Sequence, residues 1–192
     1  MKILKIFSII LFLSSQVFAS SKDDPILFDE VGGWEIGILP YLNFGCYTSS
    51  PIYEGGSMLS VYVDNRSGVE GVYLHLVNPS WSSLKIGERY EMKVIFEPFS
   101  DGWIGEADVV SYGDHKGIEF IANADFVVAF AEMESVRFLY KEREILNLEL
   151  KGSYKASMSL LECQAMVNES GVTNTSLKKK LNKPSIRDPF MD

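Results

Sequence analysis

The sequence predicts a mainly β protein of the α+β kind: a compact antiparallel β-sandwich or strongly curved sheet, with two short helices and one disulfide. Three observations predict it. Apolar and polar residues alternate with a period of two through most of the chain, the mark of strands with one buried face. The period lengthens to that of a helix in two places, after Asn123 and after Gly152. The chain holds only two cysteines, Cys46 and Cys163, one near each end of the patterned region.

The first nineteen residues stand outside that pattern. Lys2 and Lys5 make a short basic start, Ile6 to Leu13 an apolar run, and Val17-Phe18-Ala19 a small-residue cleavage site. Residues 1–19 therefore read as a signal peptide. The apolar run is too short, and too soon followed by Ser20-Ser21-Lys22-Asp23-Asp24, to hold the chain in a bilayer. No cysteine follows it for lipid attachment, and no other apolar run approaches membrane-spanning length. The expected destination is the periplasm or the exterior, without stable membrane insertion after cleavage. Residues 20–32, polar and glycine-ended, read as a flexible lead-in.

The strands follow in order. Trp34 to Leu39 is a short apolar run stopped by Pro40, and Asn43 to Gly56 reads mostly as loop with short extended pieces. Leu59, Val61 and Val63 then alternate with polar neighbours up to the turn cluster Asp64-Asn65-Arg66-Ser67-Gly68. Val72, Leu74 and Leu76 alternate next, until Asn78-Pro79-Ser80 breaks the run. Tyr90, Met92, Val94 and Phe96 form a longer strand ended by Pro98, after which Ser100-Asp101-Gly102 turns the chain. Ala107 to Tyr112 and Ile118 to Ala122 read as a hairpin across Gly113 to Gly117.

At Asn123 the period changes. Asn123 or Asp125 is placed to cap a helix, and Phe126, Phe130 and Met133 fall on one face with Val127 beside them. Val136, Phe138 and Tyr140 alternate again, the charged turn Lys141-Glu142-Arg143-Glu144 follows, and Leu146, Leu148 and Leu150 make one more strand. Gly152-Ser153 stops that strand and caps a second helix, in which Ala156, Leu160, Cys163 and Val167 share one face. Cys163 thus faces the core. From Asn168 apolar residues thin out, Phe190 is the one aromatic, and Lys178-Lys179-Lys180 brings five basic against three acidic residues. Residues 168–192 are expected to be a disordered tail, and residues 33–167 a single globular domain.

In an oxidising compartment an isolated pair of cysteines forms a disulfide. A Cys46–Cys163 bridge closes a loop of more than one hundred residues, for which chain entropy gives roughly 4–5 kcal/mol of stabilisation.

The composition is acidic, 18 Lys and Arg against 26 Asp and Glu in 192 residues, which argues against a nucleic-acid partner. With two cysteines and two histidines there is little material for a metal site, and no cofactor is expected. No Gly-x-Ser-x-Gly elbow, phosphate loop or His-Glu-x-x-His occurs. His75 reads as a histidine on the solvent face of a strand. His115 beside Asp114 supplies too few ligands for a metal. Asp64, Asp101, Asp108 and Asp114 are candidates for a carboxylate pair, although carboxylates are abundant enough here for chance to produce one. Trp81, in Asn78 to Leu84, and Trp103, after the Asp101-Gly102 turn, are the candidate binding residues, because aromatics at loop tips anchor partners. The competing reading is that they cap the ends of the core.

Four features in order resemble proteins of the invasion-associated locus B type. They are Gly33-Trp34-Glu35 at the start of the domain, Cys46 shortly after, a row of strands, and the segment Leu146 to Cys163, LNLELKGSYKASMSLLEC, in which a strand runs through Gly-Ser and a spaced Ala into a last helix. The resemblance spans residues 33–167. It implies an exported, mainly β, non-catalytic protein and brings no active-site residues. The sequence therefore points to an exported interaction protein of the bacterial envelope with a protein partner. An inhibitor or immunity-type protein against a basic envelope enzyme is the first alternative, and a small carboxylate-dependent enzyme the second.

Export has a direct check. Mass spectrometry of the native protein is expected to find Ser20 at the N-terminus, and an intact Met1 in the mature protein would overturn the signal-peptide reading.

Overall fold

The computed structural model describes residues 24–98 and 102–170. The expected signal peptide, and the expected tail beyond Ser170, lie outside the described residues. The elements are β1 (Ile26–Val31), β2 (Trp34–Leu39), β3 (Gly45–Ser49), β4 (Met58–Asp64), β5 (Gly71–Val77), β6 (Arg89–Glu97), β7 (Trp103–Tyr112), β8 (His115–Ala122), α1 (Ala124–Glu132), β9 (Ser135–Tyr140), β10 (Arg143–Glu149) and α2 (Ser153–Ser170). Short 3-10 turns occupy Pro40–Leu42 and Glu54–Gly56.

All ten strands belong to one antiparallel sheet in the order β1-β2-β3-β4-β5-β8-β7-β6-β9-β10. Of the two forms the sequence predicts, the curved sheet is the one found. The first five strands are a simple meander. The chain then leaves β5 by the 78–88 loop, lays down β6, and returns through β7 and β8 to pair with β5. Lys116 pins that loop by donating from Nζ to the carbonyls of Ser82 and Leu84, at 2.7 and 2.5 Å.

Alternation decides which residues face inward. Trp34, Ile36 and Ile38 of β2, Leu59 and Val61 of β4, Leu74 and Leu76 of β5, Ile118 and Phe120 of β8, and Val94 and Phe96 of β6 all join one buried core. The two helices fill the hollow. Asn123 caps α1 by accepting from the Phe126 N–H at 2.8 Å. Phe126 then packs edge-on against Phe96 and Trp103, and Phe130 against Trp34, with ring centroids 4.9, 5.7 and 5.4 Å apart. Helix α2 lies on β1, β2 and β3, with Ala156, Leu160, Cys163 and Val167 buried as its spacing predicts. Cys46 and Cys163 are bonded, 117 residues apart in sequence. Beside the bridge Gln164 Oε1 accepts from the Cys46 N–H at 3.0 Å, and Ser159 Oγ donates to Asp29 Oδ2 at 2.9 Å.

The sheet curls until its two ends approach. The β1–β2 turn meets the turn that follows β10: a Cβ on Gly32 would lie 3.1 Å from the Gly152 Cα, and both glycines have positive φ. Trp34 Nε1 donates to the Lys151 carbonyl at 2.9 Å, and Tyr53 Oη donates to that of Glu149 at 2.7 Å.

Three features differ from the sequence reading. Residues 20–32 are expected to be a flexible lead-in, yet Ile26–Val31 forms β1, with Ile26, Phe28 and Val31 packed on the core. A register shift between Leu27 and Asp29 breaks the alternation that would have marked it as a strand. In residues 43–56, expected as mostly loop with short extended pieces, Gly45–Ser49 is β3, a strand paired on both sides, whose Gly45 passes under β4 where a Cβ would lie 1.7 Å from the Val63 carbonyl oxygen. Helix α2 runs on to Ser170, past the expected domain boundary at residue 167.

The bridge sets an expectation for stability. A Cys46→Ala/Cys163→Ala variant is expected to unfold in urea with about 3–5 kcal/mol less stability than the oxidised parent. A loss below about 1 kcal/mol would show that the bridge does not constrain the unfolded chain.

Candidate functional site

Register places two parallel rows of side chains on the outer face of the sheet. Glu35 stands opposite Ser49, Ser49 opposite Ser60, Ser60 opposite His75, and His75 opposite Glu119, a polar row across β2, β3, β4, β5 and β8. The neighbouring row runs Gly37, Tyr47, Tyr62, Tyr73 and Ile121. The polar row, with Tyr47 and Tyr62 of its neighbour, floors a groove of about 930 Å³, walled by Tyr41 and Leu42 of the first 3-10 turn, by residues 50–52, and by Tyr112 at the tip of β7.

The rows are tied together. Tyr47 Oη donates to Glu35 and Tyr62 Oη to Glu119, both through short hydrogen bonds, and Ser60 Oγ donates to Ser49 Oγ at 3.1 Å. Tyr62 stacks on Tyr73 with centroids 5.3 Å apart. Two glycines let rings lie flat on the sheet. A Cβ at Gly37 would sit 2.5 Å from the Tyr47 ring, and one at Gly117 would sit 2.6 Å from His75 Nε2. At the groove's edge Arg66 grips Asp64 with Nε and Nη2, at 3.0 and 2.6 Å.

The electrostatics follow from this packing. Burial, reinforced by the carboxylate each hydroxyl faces, pushes Tyr47 and Tyr62 well above the ordinary phenol range. Burial pushes Glu119 up, and the charges of Asp108 and Asp64 add to it while the Tyr62 hydroxyl opposes. Burial also pushes Asp64 up, but its bonds from Arg66 outweigh that and hold it below the usual range. Burial lowers His75 to about 4, so its ring is neutral at pH 7.

The sequence candidates are distributed differently. Trp81 and Trp103 are both partly buried against the core. Trp103 lies within β7, edge-on to Phe120 at 5.5 Å, with its ring over Gly105. His75 is on the outer face of its strand, as predicted, but it is only 6% exposed, because Tyr112 leans on it at 5.3 Å. His115 and Asp114 are exposed at the β7–β8 hairpin. Asp64 and Asp108 are each tied to an arginine, Arg66 and Arg89, and Asp101 lies outside the described residues. Among the described residues no three His, Cys, Asp or Glu side chains gather as a metal site, and no helix is long and apolar enough to cross a membrane. Glu35, Glu119 and the tyrosines of the groove were not among the sequence candidates. Their signal is the outward set of the alternation, in which Tyr47, Tyr62 and Tyr112 take positions usually given to charged or small polar residues.

Fold and site together describe a small β domain, one curled sheet pinned by a helix and a disulfide, with a tyrosine-walled groove on its outer face. No family model and no curated protein matches the chain. Among solved structures it is similar to the crystal structure of invasion associated protein B from Bartonella henselae, at 13% identity and a TM-score of 0.52. The match covers 71% of this chain and 97% of that one. The likeness is one of fold, and it agrees with the resemblance carried by Gly33-Trp34-Glu35 and the Leu146 to Cys163 segment.

His75 gives the groove a measurable signature. Its pKa is near 4 when folded against about 6.5 when unfolded. Between those values the unfolded chain binds more protons, so this contribution is complete above pH 6.5 and is lost as pH falls toward 4. Glu119, raised in the fold, has the opposite slope, so the His75 effect must be read as a difference between variants. Wild type is expected to lose up to about 3 kcal/mol more stability than His75→Phe between pH 7 and pH 4, measured by urea denaturation. Equal slopes would refute the buried neutral state.

Proposed function

We propose that the chain is an exported, non-catalytic interaction protein of the bacterial envelope, and that its outer groove takes a protein partner. The observation that carries this reading is the groove itself. Its size falls in the range of ligand sites, and tyrosines supply large rigid contacts with polar tips, at low cost in side-chain entropy. The carboxylates on its floor are already occupied by tyrosine hydroxyls, which suits a fixed recognition surface. The fold neighbour is named for association with invasion and not for a reaction.

A carboxylate-dependent enzyme is less well supported. Glu35 and Glu119 stand four strand spacings apart, roughly 19 Å along the sheet. Paired glycosidase carboxylates lie roughly 5–10 Å apart. Asp108 and Glu119 are direct cross-strand neighbours, but Arg89 holds Asp108 at 2.7 Å.

The test is capture from an envelope fraction on the immobilised mature protein. Tyr41→Ala and Tyr112→Ala alter half-exposed groove walls, while Tyr154→Ala alters an exposed residue of α2. A partner held by wild type and by Tyr154→Ala, and reduced at least tenfold by both groove variants, is the expected result. Undiminished capture by the groove variants, or conversion of a captured molecule by wild type, would overturn the proposal.

A further inference from the structure

We infer that the outer groove is a receptor for a basic peptide segment, whose guanidinium or ammonium groups pair with Glu35 and Glu119 between the tyrosine rings. The inference rests on the binding reading above and adds the chemistry of the partner.

The charge of the groove carries the first step. Glu30, Glu35 and Glu119 line it, and the one arginine among its described lining residues, Arg66, has its guanidinium committed to Asp64. A phosphate or an acidic peptide would meet carboxylates with no free cation to receive it. A basic group would meet a carboxylate at each end of the polar row, in a protein whose formal charge of −8 draws cations from a distance.

The second step is shape. Tyr41 and Tyr112 present half-exposed rings at the rim, and Tyr47 lies flat over Gly37 beside Glu35. A planar guanidinium stacks on such a ring while its N–H groups reach the neighbouring carboxylate, which a hydrated carbohydrate hydroxyl does only in part. The roughly 19 Å between Glu35 and Glu119 matches about six residues of extended chain. Three strands along the row from Glu35, and next to Glu119, lies His75, 6% exposed, whose Nε2 has no hydrogen-bond partner among the described residues. With the covering Tyr112 ring turned toward a peptide that crosses the row, this neutral imidazole offers one acceptor to a peptide N–H. The position of Glu119 agrees: with Asp108 and Asp64 close by, it sits in an excess of negative potential that an incoming cation relieves.

The experiment is calorimetric titration of the mature protein with hexa-arginine, hexaglutamate and the neutral oligosaccharide chitotetraose. Hexa-arginine is expected to bind, and to weaken as salt rises. Glu35→Gln and Glu119→Gln are each expected to weaken it at least fivefold, and Tyr112→Ala at least threefold with no change of charge. Glu91→Gln and Glu162→Gln, carboxylates outside the groove, are expected to change it less than twofold, and hexaglutamate is expected not to bind. Equal weakening by the outside carboxylates would show diffuse attraction to an acidic protein and overturn the inference. Chitotetraose binding in place of hexa-arginine would overturn it in favour of a glycan. Failure here, with partner capture still dependent on Tyr41 and Tyr112, removes the basic partner alone. Loss of that dependence removes the binding reading itself.

Discussion

The constraint on which the rest of the structure depends is the meeting of the two ends of the sheet. Ten antiparallel strands with the ordinary right-handed twist cannot stay flat, and an open sheet of that width exposes a whole inner face. Here the β1–β2 turn is brought onto the turn after β10 at Gly32 and Gly152, backbones so close that neither position accommodates a side chain without displacement. Both residues also have positive φ, which glycine adopts at little cost. Trp34 completes the joint. It is 1% exposed, its ring fills the hollow against Phe130, and its indole N–H satisfies the Lys151 carbonyl. The Gly33-Trp34 opening and the Lys151-Gly152 turn, which the sequence reading treats as two separate motifs, are two sides of one contact.

The groove on the outside follows from the same curl. Strands β2 and β3 carry the core on one face and the groove on the other: Cys46 and Thr48 point inward, Tyr47 and Ser49 outward. The disulfide that fixes α2 to β3 therefore also fixes the strand that bears Tyr47. Outward positions of a sheet normally contact water and hold small or charged residues. Here they hold rings, and the rings need gaps in the neighbouring strand. Gly37 makes room for Tyr47 and Gly117 for His75, so aromatic and imidazole groups bury themselves on the outside of the sheet. Their burial raises the phenols further above their ordinary range and lowers the imidazole below its own.

Much of this was legible in the sequence, and the rest fails for identifiable reasons. The helices were clear because Asn123, Phe126 and Phe130, and then Ala156, Leu160 and Cys163, keep a strict spacing that only a helix gathers onto one face. The disulfide was clear because the expectation of export, a lone pair of cysteines and the inward side of Cys163 agreed. Strand β1 was hidden by its register shift, and β3 showed only as a short extended piece, its place inside the sheet masked by the glycine and serine around it. The groove was hidden for a deeper reason. Alternation tells which residues share a face, but it does not tell which strands are neighbours. Glu35 and Glu119 are 84 positions apart in sequence and come into one row only because β8 returns to β5, a pairing set by the long 78–88 connection and the β6–β7–β8 meander.

That return also explains why the polar row is continuous. Had β6 followed β5 in the sheet, as the simplest meander would have it, the neighbours of His75 would come from Arg89 to Glu97, a strand whose outward face carries Arg89, Glu91, Lys93, Ile95 and Glu97. Beside His75 that face would set two basic residues among two acidic ones where Glu119 now stands. By inserting β8 and β7, the topology places Glu119 beside His75 and moves Arg89 two strands further out, where it pairs with Asp108 and Glu106 instead. The acidic floor of the groove is thus a property of strand order, built from residues whose local sequence gives no sign of it.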